Sequence, residues 1–240
     1  MAHRLNVIPM RRCWLSLALV LIVGGCADSQ GLSRDRLADT IDQEESQFIS
    51  GLPAASAAPT RPNAPTLGLY LKPTGFLNRE FEWTGQDRDA VLAWSQAIPL
   101  PSGGRSAGFL TLSSLKGHTL TELLASAKRY GIDWLLVFDG AAAVDHYNNY
   151  KAGLLYWTIL GAYLADGTES DVLCLLKAVL WDVKTGARLF EEEAEAVTRT
   201  VGPAALVDDK HEIERARTTA MNLLMDRLKH RFAEVAATGR

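Results

Sequence analysis

The stretch DVLCLLKAVLWDVKTGARLFEEEAEAV, residues 171–197, decides the fold class of this sequence. Its first part, 171–183, is apolar on both faces, which is typical of a central buried strand. The triplet KTG at 184–186 predicts a hairpin turn, because glycine adopts the positive φ that such turns need. The return segment, 187–197, alternates acidic and apolar residues and is predicted to lie nearer an edge of the sheet.

The rest of the folded region alternates strands and helices. We predict strands at 66–71, 108–114 and 132–138, helices at 87–98 and 119–130, and a long final helix at about 209–236. Thr119 and Glu122 form the S/T-x-x-E capping box that starts the second helix. The order β-α-β-α-β-hairpin-α predicts a single α/β (α+β) domain over residues 66–240, with a mixed sheet and packed helices.

The N-terminus has the pattern of a secretory signal peptide. Arg4, Arg11 and Arg12 lead into the apolar run WLSLALVLIV, which ends in two glycines before Cys26. A basic region, a short apolar region and small residues make up such a signal. The run is also shorter than the about 20 apolar residues of a spanning helix. We predict a signal peptide over residues 1–25.

The letters VGGC at 23–26 resemble a bacterial lipobox, in which the cysteine becomes the lipidated first residue. This resemblance implies a membrane anchor on Cys26, and an ordinary signal peptide that happens to contain a cysteine is the alternative. Because Ala27 follows, similarity to sorted Gram-negative lipoproteins implies the periplasmic face of the outer membrane. Cys174 is then the only other cysteine of the mature chain, so no intrachain disulfide is predicted.

Residues 26–65 are predicted to form a flexible tether that is rich in proline and alanine. The segment PAASAAPTRPNAPT, which begins at Pro53, has the composition of an extended spacer. Within the tether, the spacing of Leu37, Ile41 and Phe48 predicts one short amphipathic helix.

The apolar and aromatic run at 153–165 has two interpretations, since it is too short to span a bilayer as a helix. The first is a strand of the core. The second is a surface that meets a protein partner or a membrane, because Tyr156, Trp157 and Tyr163 are amphipathic rings of the kind enriched at interfaces. Alternate residues of a strand face opposite ways, so we expect Trp157 in the core and one of the two tyrosines exposed.

Sequence motifs for catalysis are weak. GRSAG at 104–108 matches the G-x-S-x-G nucleophile elbow, but Ser106 precedes a predicted strand instead of standing between a strand and a helix. The sequence contains no P-loop, dinucleotide fingerprint, CxxC pair or HExxH motif. We therefore predict no catalytic residue and no cofactor.

Asp139, Asp145 and His146 follow the predicted strand at 132–138, where open α/β sheets bind their ligands. A ligand site is one interpretation, and a solvated loop that begins with the turn Asp139-Gly140 is the preferred one. No metal site is predicted. The net charge of −3, with no basic stripe, makes nucleic acid an unexpected partner.

Three segments carry a resemblance to the rhombotarget lipoproteins, a family of bacterial lipoproteins: LLYWTILGAY at 154–163, WDV at 181–183 and RLF at 188–190. Members with a C-terminal Gly-Gly tail and a spanning helix are thought to be processed by a rhomboid-type sorting protease, and the final letters FAEVAATGR contain no such tail. The order of elements is more loosely similar to periplasmic α/β lipoproteins of the curli-export-pore type and to lipoprotein activators of peptidoglycan synthases.

Together, the residues and the resemblance predict a non-catalytic, lipid-anchored protein of the cell envelope. Its α/β body is expected to bind a protein partner in envelope assembly or secretion. The alternative is a binding module that faces peptidoglycan or another glycan, and an enzyme of unknown type is a more distant alternative.

Overall fold

The computed structural model describes residues 29, 31–52, 64–73, 80–110, 119–148, 168–203 and 208–238. Within these residues the helices are α1 (Arg34–Phe48), α2 (Gly85–Ala97), α3 (Leu120–Arg129) and α4 (Asp209–Thr238). The strands are β1 (Thr66–Leu71), β2 (Arg105–Phe109), β3 (Trp134–Asn148), β4 (Thr168–Asp182) and β5 (Arg188–Gly202). The predicted fold class, a mixed sheet with packed helices, is confirmed.

The five strands form one sheet in the order β2-β1-β3-β4-β5. β1 pairs in parallel with both β2 and β3. β3 and β4 run antiparallel, since the N–H of Val183, just after β4, donates to the carbonyl of Asp133, just before β3, at 2.9 Å. The predicted hairpin between β4 and β5 is also confirmed: Asp182 N–H donates to the Ala187 carbonyl, and Gly186 has a φ of 70°. As predicted, β4 is internal and β5 lies at an edge.

The residues group into two compact units. The first holds the described residues within Leu32–Val144, Val172–Thr198 and Lys210–Arg240, and the second holds those within Met1–Gly31, Asp145–Asp171 and Arg199–Asp209. β3, β4 and β5 contribute residues to both units.

Helices α2 and α4 cover one face of the sheet in the first unit. Phe138 of β3 meets Trp94 of α2 edge to face, with the ring centroids 6.5 Å apart. Phe190 of β5 meets Phe232 of α4 in the same way at 5.2 Å. The Trp94 indole N–H donates to the Met225 carbonyl at 3.0 Å, which joins the two helices. Aromatic edge contacts of this kind add to the stabilisation that comes from buried area alone.

Helices α1 and α3 cover the opposite face. α3 begins at the predicted capping box of Thr119 and Glu122, which is confirmed. Its buried residues are all apolar: Leu120, Leu123, Leu124 and Ala127. The sheet residues in the same cluster include Leu135, Val137, Val179 and Trp181.

The helix predicted inside the tether is α1, and Leu37, Ile41 and Phe48 are its buried residues, as predicted. Leu37 and Ile41 pack with Leu173 and Leu175 of β4, and burial of such a side chain stabilises a fold by about 1.5–3 kcal/mol. The prediction of a flexible tether throughout 26–65 is therefore wrong over α1, and the folded body begins before Thr66.

Several strand boundaries also differ from the predictions, and β5, for example, ends at Gly202 instead of 197. β2 begins at Arg105 and ends at Phe109, whereas the prediction began at Gly108, and residues 111–114 lie outside the described residues. β3 begins at Trp134 instead of 132 and continues to Asn148, well past the predicted end at Phe138. Asp139, the first residue past the predicted end, is paired within the strand, as described with the site below.

Cys174 lies in β4 with no exposed surface, and burial raises the pKa of its thiol to about 12. Because the thiolate is the nucleophile, we expect the thiol of the folded mature protein to resist a maleimide reagent at neutral pH and to react after unfolding in urea. Lys128→Cys, at an exposed position of α3, is the reference for an accessible thiol. If Cys174 reacted as fast as that reference in folded protein, its assignment to the core would be wrong.

Candidate functional site

Four residues singled out by sequence lie outside the described residues. They are the predicted lipidation residue Cys26 and the predicted interaction residues Tyr156, Trp157 and Tyr163. Their roles therefore remain predictions.

Ser106 does not stand on a nucleophile elbow. It lies inside strand β2, and its hydroxyl is 2.9 Å from the hydroxyl of Ser95 on α2. This position agrees with the prediction that the context of the G-x-S-x-G match is unsuitable, because the elbow requires a sharp turn between a strand and a helix.

The predicted loop that contains Asp139, Asp145 and His146 is wrong, because all three residues belong to β3. An Asp-Gly pair favours a turn, but the Asp139 carboxylate is bound by Lys72 Nζ at 2.5 Å and accepts from the N–H of Gly140 at 2.9 Å. The buried aspartate is thus satisfied within a strand. Asp145 and His146 have other partners, so the three side chains do not converge on one ligand.

The second unit holds a polar network around Asp209. The His146 Nε2 atom is 2.5 Å from Asp209 Oδ1, and the hydroxyl of buried Ser170 donates to the same oxygen at 3.2 Å. A catalytic triad needs the histidine between the serine and the carboxylate. Here the carboxylate lies between the other two, so His146 is not positioned to take a proton from Ser170.

Tyr147 and Asp171 connect neighbouring strands in the same unit. The Tyr147 hydroxyl donates to Asp171 Oδ2 at 3.2 Å. Desolvation, together with the carboxylates of Glu169 and Asp171, raises the pKa of Tyr147 to about 12, so the hydroxyl stays protonated as a donor. Arg199 of β5 pairs with Glu169 of β4. These contacts hold β3, β4 and β5 together where β3 ends and β4 begins.

The most unusual chemistry lies between α1 and the sheet in the first unit. There, two lysines of the sheet side meet carboxylates from α1, β3 and β5. We call this group the lysine cluster, and its members are Lys72, Lys177, Asp42, Glu44, Glu45, Asp139, Glu191 and Glu193.

Lys177 is the centre of the lysine cluster. Its side chain is 5% exposed, and Nζ lies 2.7 Å from Glu45 and 3.1 Å from Asp42, both on α1. On the other side it lies 3.2 Å from Glu191 and 3.9 Å from Glu193, both on β5. A buried ammonium of this kind is tolerated only when it is paired and hydrogen-bonded, and Lys177 has partners on both α1 and the sheet.

Lys72 is the second cation of the lysine cluster. Besides Asp139 of β3, its ammonium lies 3.6 Å from Glu44 of α1 and 5.8 Å from the ring centroid of Phe48. The other carboxylate oxygen of Glu44 is buried without a hydrogen-bond partner among the described residues. α1 is therefore bound by both lysines, but one of its acids is incompletely satisfied.

Opposing effects act on the charges of the lysine cluster. Burial acts to lower the pKa of Lys177, but hydrogen bonds and attraction from Glu45, Asp42 and Glu191 outweigh it, so the pKa is raised. Burial raises the pKa of Asp139, and the adjacent Lys72 offsets part of this effect. Lys177 is thus fully charged at neutral pH, and its ion pairs are present there.

A small cavity opens beside the lysine cluster. Its lining includes Phe48, Lys72, Asp139, Lys177 and Trp181, and its volume of about 20 Å³ has room for a single water molecule. This cavity is too small for a substrate, so the lysine cluster acts in this conformation as an ionic contact between α1 and the sheet.

Two features of the sequence point to the lysine cluster. Lys177 is the one charged residue inside an otherwise apolar buried strand segment, 172–181. Glu45 follows Ile41 by four positions on the apolar stripe of α1, one turn of helix away. A charge at a buried position of each element indicates an ion pair, but the sequence does not show that the two elements meet.

The described residues show no feature of a metal site or of a membrane span. None of their His, Cys, Asp and Glu side chains form a group of three or more that suits a metal ion. Nor is any of the described helices both long and apolar enough to cross a membrane.

No family model and no curated protein match this sequence. Among solved structures, it is similar to a PelC dodecamer from Paraburkholderia phytofirmans, at 11% identity and a TM-score of 0.34, over 72% of this chain and 92% of that chain. It is also similar to lipoprotein GNA1162 from Neisseria meningitidis, at 12% identity and a TM-score of 0.31, over 71% and 99% of the two chains. These likenesses carry no conclusion about function.

Replacement of Lys177 by methionine tests the lysine cluster. Arg188 still pairs with Glu45 and Glu191 when Lys177 is replaced, so we expect Lys177→Met to lower the free energy of unfolding by about 2 kcal/mol, through loss of the hydrogen bonds of the ammonium. In the double variant, Glu45→Leu should recover part of this loss. Lys128→Met, at an exposed position, should change the free energy of unfolding by less than about 0.5 kcal/mol. Urea unfolding measures all three variants.

The pH dependence of the free energy of unfolding tests the same variant independently. A lysine with a raised folded-state pKa contributes stability that is fully present below its ordinary pKa of 10.5 and is lost only as the pH rises through the folded-state value. The effect of Lys177→Met should therefore be equal at about pH 6 and about pH 9. An effect no larger than that of Lys128→Met would show that the cluster contributes nothing to stability.

Proposed function

We propose that this protein is a lipid-anchored protein of the bacterial cell envelope whose non-catalytic α/β body binds a protein partner close to the membrane. The lipobox-like VGGC at 23–26 supports the lipid on Cys26. The residue after it, Ala27, supports the periplasmic face of the outer membrane as the location. The proposal assigns the protein no catalytic residue, metal or cofactor.

The observation that carries this proposal is the contact of Ser29 with Asp145. The Ser29 hydroxyl donates to the Asp145 carboxylate, which also accepts from the N–H of Gly31 at 2.9 Å. In the sequence only two residues stand between Cys26 and Ser29, and three residues of extended chain reach at most about 11 Å. A lipid on Cys26 would thus hold the second unit close to the membrane surface.

The aromatic run at 153–165 belongs to the segment of the chain between β3 and β4. β3 ends at Asn148 and β4 begins at Thr168, so the segment that contains Tyr156, Trp157 and Tyr163 connects two strand ends of the unit that also holds Ser29. We propose that rings of this segment contact the partner. Aromatic side chains are enriched in protein interfaces, where they often contribute most of the binding energy.

Replacement of Cys26 tests the anchor. Because the thiol is the acceptor in the proposed lipidation, Cys26→Ser should accumulate as an unprocessed precursor that incorporates no labelled palmitate. The wild-type chain should be labelled and should fractionate with outer membranes. Palmitate on the Cys26→Ser chain would overturn the assignment of the lipobox.

Alanine replacements within the aromatic run test the interaction surface. We expect Trp157→Ala to destabilise the fold by about 3–5 kcal/mol, as for loss of a buried ring. At least one of Tyr156→Ala and Tyr163→Ala should leave the melting temperature nearly unchanged and abolish a specific cross-link formed in intact envelopes.

The control for this series is Trp181→Ala. Trp181 is buried in the core, so its replacement should also destabilise the fold by about 3–5 kcal/mol. Because it does not belong to the proposed surface, protein that remains folded should keep the cross-link. Large and equal losses of stability in all three variants of the aromatic run would leave no surface ring and would contradict the proposed contact.

A further inference from the structure

Helices α1 and α3 lie on the same face of the sheet but are held by different forces. The buried residues of α3 are apolar throughout, as described above. The buried stripe of α1 consists of Leu37, Ile41 and Phe48, and between the last two lie Glu44 and Glu45, which contact the lysines of the lysine cluster. A substantial part of the contact between α1 and the sheet is therefore ionic.

Ionic and apolar contacts respond differently when two surfaces separate. Apolar side chains that separate lose their burial and gain nothing in return. Charged groups that separate regain their hydration, which offsets the lost attraction. The Glu44 oxygen without a hydrogen-bond partner would gain one from water. Undocking of α1 is thus less costly per contact than undocking of α3.

The lysines of the sheet side would also remain paired after α1 has left. Lys72 keeps Asp139 of β3 at 2.5 Å, and Lys177 keeps Glu191 of β5 at 3.2 Å. Neither cation depends on α1 for its only counter-charge. Undocking would therefore leave no unpaired lysine on the sheet. The cost of an unpaired buried charge is the usual reason why a buried ionic contact does not open.

The residues on either side of α1 would also take part in such a movement. Residues 49–65 join α1 to β1 and contain Pro53, Pro59, Pro62 and Pro65, the composition of a spacer. On the other side of α1, the hydrogen bonds of Ser29 and Gly31 to Asp145 must open as well. The apolar contacts of Leu32, Ile49 and Leu52 beside α1 must open too.

We propose that α1 is a detachable clasp, which the lysine cluster holds on the sheet and whose release lengthens the link between the membrane anchor and the body. When α1 is docked and Ser29 is bound to Asp145, 29 − 26 = 3 residue steps lead from Cys26 to the body, and they reach at most about 11 Å. When both contacts are released, 65 − 26 = 39 residues separate Cys26 from β1, and this segment, treated as a flexible chain, has a mean span of about 35 Å.

The consequence for reach rests on the proposed lipid at Cys26, whereas the release of α1 does not. A released α1 would let the body leave the membrane surface and meet a partner farther away. The docked and released states would thus differ in which partners the body can contact.

Hydrogen–deuterium exchange with two matched variants of the mature chain tests the release. Glu45→Gln and Asp39→Asn each remove one carboxylate from α1, but only Glu45 contacts Lys177, while Asp39 is exposed. We expect amides of α1 in Glu45→Gln to exchange at least about tenfold faster than in wild type, with the amides of β4 unchanged. Asp39→Asn should exchange like wild type.

Wild-type protein provides a second test that does not depend on the folding of any variant. In wild type, the amides of α1 should exchange faster than those of α3, because α1 opens without the rest of the fold. Equal exchange of α1 and α3 in wild type, or equal effects of Glu45→Gln and Asp39→Asn, would overturn the proposal.

Energy transfer from a dye on Lys128→Cys to a dye in phospholipid vesicles tests the change in reach with the lipidated chain. We expect weaker transfer when Glu45→Gln is added, since the body then moves away from the surface. Unchanged transfer in that variant would overturn the longer link even if exchange of α1 is faster. Failure of the wild-type chain to bind vesicles would instead contradict the proposed anchor and leave the exchange result standing.

Discussion

The pairing of Lys177 with carboxylates on both sides is the interaction on which this face of the molecule depends. A charged residue at the centre of an internal strand requires partners, since an unpaired buried ammonium is strongly unfavourable. Glu191 supplies one partner from the neighbouring strand, and Glu45 supplies another from α1. The position of the first helix on the sheet is therefore coupled to one lysine in β4.

The two faces of the sheet are stabilised by different interactions. On the face of α2 and α4, interlocked aromatic rings and aliphatic side chains form a continuous apolar core. On the face of α1 and α3, the lysine cluster lies between two smaller apolar clusters, one around Trp181 and one around Leu175. The first face is thus held by apolar burial. The second combines α3, whose buried residues are apolar, with α1, whose contact is partly ionic.

The proposed location in the envelope agrees with the contacts at the N-terminal end of the described chain. The chain that leads from Cys26 to the fold is short, because Ser29 already contacts Asp145. The segment 149–167 begins and ends on strands of the unit that contains this contact. The proposed anchor and the proposed contact rings thus adjoin, in the sequence, described residues of the same unit, as expected of a protein that meets its partner near a membrane.

Local patterns in the sequence determined the hairpin of β4 and β5, the capping box at Thr119 and the long helix α4, because turn chemistry, capping and helical period are recorded in neighbouring residues. The sequence also showed that α1 is a helix, and it contained Lys177 as a charge in an apolar strand. Only the tertiary structure decided that α1 belongs to the folded body and that Asp139 lies within a strand. Both outcomes depend on ion pairs between residues far apart in the chain, and no local pattern records which distant charge will be the partner.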